Sequence, residues 1–142
     1  MKIIALALLA LIPSFLNAEV IVDLMSIAGK TKNEVAQVLG EATPADSQNQ
    51  SKHGERLFYR NGSFEIVYVN EIADWITITE LKDLPFSPSS LKSLGFSKVY
   101  KPTFQNQNVI RWNLGKAIRE ISIFPGQKGK VWMISISVKT KP

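Results

Sequence analysis

The stretch Glu65-Ile-Val-Tyr-Val-Asn-Glu-Ile-Ala-Asp-Trp-Ile-Thr-Ile-Thr79 decides the fold. Two alternating, β-rich runs flank a short polar turn at Asn70-Glu71, the pattern of an antiparallel hairpin. The pattern returns in residues 120–137, where Glu-Ile-Ser-Ile-Phe leads through a Gly-containing turn (residues 125–130) to Trp-Met-Ile-Ser-Ile-Ser. Glu65-Ile66 and Glu120-Ile121 lie 55 positions apart, as do Leu39-Gly40 and Leu94-Gly95. The closing strands match at 57 or 58, because the second turn is longer. A shared spacing from helix end to hairpin points to duplication of one unit.

Working outward, the first unit reads as a helix followed by a three-stranded meander. Thr31-Lys32-Asn33-Glu34 is a capping box, in which hydroxyl and carboxylate satisfy each other's backbone donors. Val35, Val38 and Leu39 follow at helical spacing, and Gly40 ends the helix. Strands are expected at residues 56–60, 63–69 and 73–79, with Asn61-Gly62 as a two-residue turn. Residues 20–27 fit either an edge strand or a short helix. In the second unit Ser87-Pro88 opens a helix carrying Leu91 and Leu94 inward. A polar loop at 100–108 precedes strands at 109–114, 119–124 and 131–139. The predicted fold class is α+β: two tandem helix–meander units, residues 19–83 and 84–142, with both helices on one face of the sheet.

Alternation assigns Ile66, Tyr68, Ile121 and Ile123 to the core and turns Glu65 and Glu120 away. Ile76 and Ile78 face inward, leaving Trp75 on an open face among threonines. Trp132 shares a side with Ile134, Ile136 and Val138 and is expected in the core.

Residues 1–18 read as a signal peptide: Lys2, an apolar run from Ile3, and a small residue, Ala18, at the cleavage site. Export to a periplasm or to the medium is expected, with Glu19 as the mature N-terminus. The chain has no cysteine, which excludes disulfides, thiol catalysis and acylation at an N-terminal cysteine.

Charge is uneven. Residues 19–83 hold 6 Lys/Arg against 11 Asp/Glu, and residues 84–142 hold 10 against one, Glu120. The halves therefore attract, and the surplus predicts a basic face at Lys98, Lys101, Lys116, Arg119, Lys128 and Lys130. That face could meet anionic lipid, lipopolysaccharide or an acidic protein, or it could simply solubilise the chain. With Arg111, Lys139, Lys141 and the interleaved Tyr100, Phe104 and Trp112 it also suits single-stranded nucleic acid, but an exported protein does not meet that ligand in the cytoplasm.

Catalytic patterns are weak. His53, the only histidine, lies in a polar loop (residues 45–54) without a nucleophile elbow nearby. Glu65 and Glu120 could form a glycosidase-like pair, or merely solvate the sheet. No metal-ligand spacing and no phosphate-binding loop occurs; Gly126-Gln-Lys-Gly129 reads as a hairpin turn, so neither cofactor nor metal is expected. Anchors of the kind that hold protein interfaces are present at Trp75, Tyr59, Arg111 and Trp112.

Residues 29–40, Gly-x-Thr-x-x-Glu-Val-x-x-Val-Leu-Gly with Pro44 beyond, resemble the helix motif of the small outer-membrane assembly lipoproteins (the SmpA/OmlA family) and of the β-lactamase inhibitory proteins. The repeated unit is similar to the inhibitory proteins in particular. The chain departs from the lipoproteins in lacking the acylated cysteine, and its second unit lacks the capping box. The resemblance implies non-catalytic protein binding through an open sheet face. The alternatives are an envelope accessory held at an anionic surface by its basic half, and a small hydrolase using Glu65 and Glu120.

Overall fold

The computed structural model describes residues 19–44 and 54–138. The predicted leader, His53 and most of the 45–54 loop lie outside the described residues. The chain is α+β. It contains α1 (Lys32–Leu39) and a 3-10 helix at Pro88–Leu94, besides short 3-10 turns at Leu24–Ser26 and Gln127–Gly129. Its strands are β1 (Thr43–Pro44), β2 (Glu55–Tyr59), β3 (Phe64–Val69), β4 (Ile72–Ile78), β5 (Phe104–Gln105), β6 (Ile110–Asn113), β7 (Ile118–Pro125) and β8 (Val131–Val138). They form one antiparallel sheet in the order β1-β2-β3-β4-β8-β7-β6-β5. Each half of the chain supplies four consecutive strands, and the halves meet where β4 pairs with β8.

Local chemistry explains the elements. In α1 the Thr31 hydroxyl accepts from the Glu34 amide, and the Glu34 carboxylate accepts from the Thr31 amide at 2.9 Å. An eight-residue helix is marginal alone. Val35 and Leu39 are buried, each contributing about 1.5–3 kcal/mol of transfer free energy. Val38, at helical spacing from Val35, is nevertheless exposed, because the helix presents only the Val35/Leu39 stripe to the core. The 3-10 helix at Pro88–Leu94 follows Ser87, as its Pro at the first position dictates, and ends at Gly95 in the left-handed region (φ 86°). A Cβ at Gly95 would also crowd the Asp23 backbone.

The Asn70-Glu71 turn is a two-residue hairpin with both residues at positive φ, as its mirror-image turn geometry requires. The other expected two-residue turn is longer. Tyr59 pairs with Phe64, so residues 60–63 all lie in the loop, and Arg60, Asn61 and Gly62 share positive φ. The polar segment 100–108 contains β5, a two-residue edge strand held by Thr103 N–H to the Arg111 carbonyl at 2.8 Å. The ambiguous N-terminal stretch forms a 3-10 turn, capped by Asp23 accepting from the Met25 amide.

Two rows of buried side chains cross six strands. One runs Leu57, Ile66, Ile76, Ile136, Ile121, Trp112. Beside it runs Tyr59, Phe64, Ile78, Ile134, Ile123, Ile110. With Val35, Leu39, Leu91 and Leu94 they belong to one buried cluster. Three bulges adjust the alternation, one of them at Arg119, the extra residue opposite Val138 and Ser137. Asp74 is the extra residue opposite Val67 and Tyr68, so that Ala73 and Ile76 both face inward. Trp132 is the extra residue opposite Phe124 and Pro125, so that Val131 and Ile134 are buried instead. Trp132 is 61% exposed, and its expected core position is thereby corrected.

Candidate partner-binding face

The opposite face of the sheet carries its own two rows. One runs Thr43, Phe58, Glu65, Thr77, Ser135, Ser122, Arg111, Phe104, and the next runs Arg56, Val67, Trp75, Ser137, Glu120, Asn113. Pleating puts these side chains on the face away from the buried isoleucines. Most are half-buried by one another, while Trp75 near the middle remains 45% exposed.

Trp75 is flanked by two ion pairs. Arg56 Nε lies 3.1 Å from a Glu65 carboxylate oxygen, and Arg111 Nε lies 3.3 Å from Glu120. Arg111 also donates to the Ser122 hydroxyl at 3.2 Å, which donates in turn to Glu120 at 3.0 Å. Each guanidinium carries two further terminal nitrogens besides the Nε that contacts its carboxylate. The face is thus neutral in sum, aromatic at the centre and rich in hydroxyls.

Of the four anchors expected from sequence, this face brings together Trp75 and Arg111. Tyr59 and Trp112 are corrected: each is 1% exposed and lies in the buried rows. Their polar atoms are satisfied there, Tyr59 by the Tyr68 hydroxyl at 2.5 Å and Trp112 Nε1 by the Tyr100 carbonyl at 2.9 Å. Arg56 was missed. Its signal was available, since Arg56 precedes Arg111 by the same 55 positions that relate Glu65 to Glu120.

The expected basic face is divided. Lys116 and Arg119 sit at the β6–β7 turn, and Lys98 stands over the Tyr100 ring at 5.1 Å, with Lys101 adjacent and exposed. Lys128 and Lys130 sit at the far end of β7, on the order of 25 Å away for an eight-residue strand. Lys130 pairs with Asp83 at 3.2 Å. One continuous cationic surface does not form, because β7 holds the two groups at its opposite ends.

Glu65 and Glu120 are separated by three strand spacings, roughly 14 Å, beyond the ~9.5 Å that an acid–base pair across a glycosidic bond allows. Both are held by arginines. Elsewhere Lys32 bridges Glu55 and Glu71 beside the Tyr68 ring. The hydrogen bond to Glu55 raises its pKa, opposed by partial desolvation, with Glu71 adding to the rise. Among the described residues no group of three or more His, Asp or Glu could hold a metal ion, and no helix is long and apolar enough to cross a membrane.

No family model matches the chain, and no curated protein or solved structure matches it.

Proposed function

We propose that the chain is an exported, non-catalytic protein-binding module that engages its partner through the open sheet face centred on Trp75. The carrying observation is the exposed tryptophan in mid-sheet, between two arginines already oriented by carboxylates. A buried interface anchor is most often an aromatic or an arginine, and orienting the side chain beforehand reduces the entropy lost on binding. The face is neutral in sum, so affinity comes from apolar contact and hydrogen bonding rather than from long-range attraction.

The module consists of two copies of a helix-and-meander unit with their helices on the side away from the partner. Leu57 and Trp112, Ile66 and Ile121, Arg56 and Arg111, and Glu65 and Glu120 are each 55 positions apart and occupy matching places on the two sides of the β4–β8 seam. Ile76 and Ile136, 60 apart, match across the seam itself, a wider spacing than the 57 or 58 of the sequence comparison. Val35 and Leu39 share their buried cluster with Leu91 and Leu94. The resemblance of residues 29–40 to the SmpA/OmlA and β-lactamase inhibitory proteins agrees with binding rather than catalysis. Export rests on the leader-like residues 1–18.

The test is capture from a cell-envelope extract, followed by reconstitution with the purified captured protein. Trp75→Ala should weaken that reconstituted complex about tenfold or more, and Thr77→Arg should do the same by obstructing the neighbouring position. A complex indifferent to both substitutions would overturn the reading.

A further inference from the structure

A second surface, away from the open face, is built for a different contact. At the β6–β7 turn a pocket of about 80 Å³ is lined by Met25, Phe96, Tyr100, Leu114 and Ile118, with Lys116 on its rim. Phe96 and Tyr100 meet edge to face, with centroids 6.1 Å apart. The Tyr100 backbone is fixed by Trp112 Nε1 bonding to its carbonyl. Lys98 lies over the Tyr100 ring, so Lys98 and Lys116 border the same aromatic wall from two elements. The Leu114 backbone is held by its N–H bonding to the Arg119 carbonyl at 3.3 Å. Neither Lys98, Lys116 nor Arg119 has an ion-pair partner among the described residues. Two carboxylates lie two residues from the lining, and both are engaged: Asp23 accepts the Met25 amide and caps the Leu24–Ser26 turn, and Glu120 is held by Arg111 and Ser122. Met25 is 49% exposed although it lines an apolar hollow.

Size and charge select the occupant. On the same measure one water needs about 10–15 Å³, so the hollow holds only a handful of heavy atoms, which suits one aliphatic side chain and is too small for a lipid tail. Cations on the rim favour carboxylates immediately beside that side chain. We propose that this pocket takes a single leucine-like side chain from an acidic segment of a protein partner. Its apolar group sits against Met25, Phe96 and Leu114, and its flanking carboxylates face Lys98 and Lys116. The site is independent of the Trp75 face and would give the module a second, salt-sensitive contact.

The probe is a fluorescein-labelled acidic peptide with one central leucine, titrated by anisotropy into the purified protein in a single processed form fixed by intact mass. Amide shifts in a two-dimensional NMR spectrum should concentrate at Met25, Phe96, Tyr100 and Lys116. Replacing the peptide's leucine by serine should weaken binding about tenfold or more. A protein carrying both Lys98→Glu and Lys116→Glu, surface changes that spare the core, should lose binding about tenfold at low salt and be less sensitive to added salt. Trp75→Ala should leave it unchanged. Equal binding of the serine peptide would reduce the site to a charged patch and overturn the proposal. Shifts elsewhere on the molecule would overturn it too. So would binding to phosphatidylglycerol vesicles that depends on Lys98 and Lys116 when peptide binding does not, since that would make the surface a lipid contact.

Discussion

Tyr59 and Tyr68 place two hydroxyls inside an otherwise apolar core, 2.5 Å apart, each satisfying the other. Burial pushes both phenols up from their ordinary pKa of 10.0. A phenol with a raised pKa keeps its proton in the native state after the unfolded chain has begun to lose it. Above about pH 10 the unfolded state therefore binds fewer protons, and stability falls as pH rises. The urea midpoint should drop through that range, and the loss should be smaller in a Tyr59→Phe, Tyr68→Phe double variant. At neutral pH, Tyr68→Phe alone strands the Tyr59 hydroxyl at a cost of about 1–3 kcal/mol, whereas the double variant should cost less than the two single changes together. Additive costs in denaturation experiments would refute the pairing. The three tryptophans differ for residue-scale reasons as well. Trp75 stands exposed on the pleat and Trp132 at a bulge, while Trp112 is buried with its N–H satisfied.

At the scale of elements, α1 depends on its cap. Thr31→Ala removes the acceptor for the Glu34 amide and should cost about 1 kcal/mol by thermal or chemical denaturation. The Glu34 carboxyl is held below its usual pKa of 4.5, first by the Thr31 backbone N–H and then by the Thr31 hydroxyl. A depressed carboxylate contributes stability above its unfolded pKa and loses it as pH falls through the lowered folded value. The difference in unfolding midpoint between the wild type and Glu34→Gln should thus be largest at neutral pH and close in acid. A gap that widened in acid would contradict the capping geometry. The N-terminal segment acts as a tie between elements of both halves. Ile21 N–H donates to the Ser93 carbonyl at 2.8 Å, and the Ile21 carbonyl accepts from Arg60 at 3.1 Å.

For the whole molecule, the β4–β8 seam is the decisive joint. Ile76 faces Ile136 and Ile78 faces Ile134, all four at 1% exposure or less. Ile136→Ala should cost about 2–5 kcal/mol. Because one cluster spans the seam, unfolding should remain a single transition, with tryptophan emission and far-ultraviolet circular dichroism giving the same midpoint. Two separated transitions would mean that the halves fold independently. The uneven charge of the two halves adds attraction across the chain, seen locally in Asp83 and Lys130.

The sequence by itself determined the features that are local in the chain. Six strands were legible because side chains alternate with a period of two, and the capping box because its partners are three residues apart. The uneven charge of the two halves is likewise read without tertiary structure. Tertiary structure alone decided register and its consequences. Bulges at Asp74 and Trp132 arise from pairing between distant strands, and one inserted residue sends a tryptophan from the core to the surface. Trp112 and Tyr59 have the composition of interface anchors, and only the rows they share with Leu57, Phe64 and Ile110 put them inside. The two arginine–glutamate pairs and the pocket at Tyr100 unite residues that no short window contains. A side chain's period follows from its own backbone, but its neighbours across a sheet follow from which strands the hydrogen bonds join.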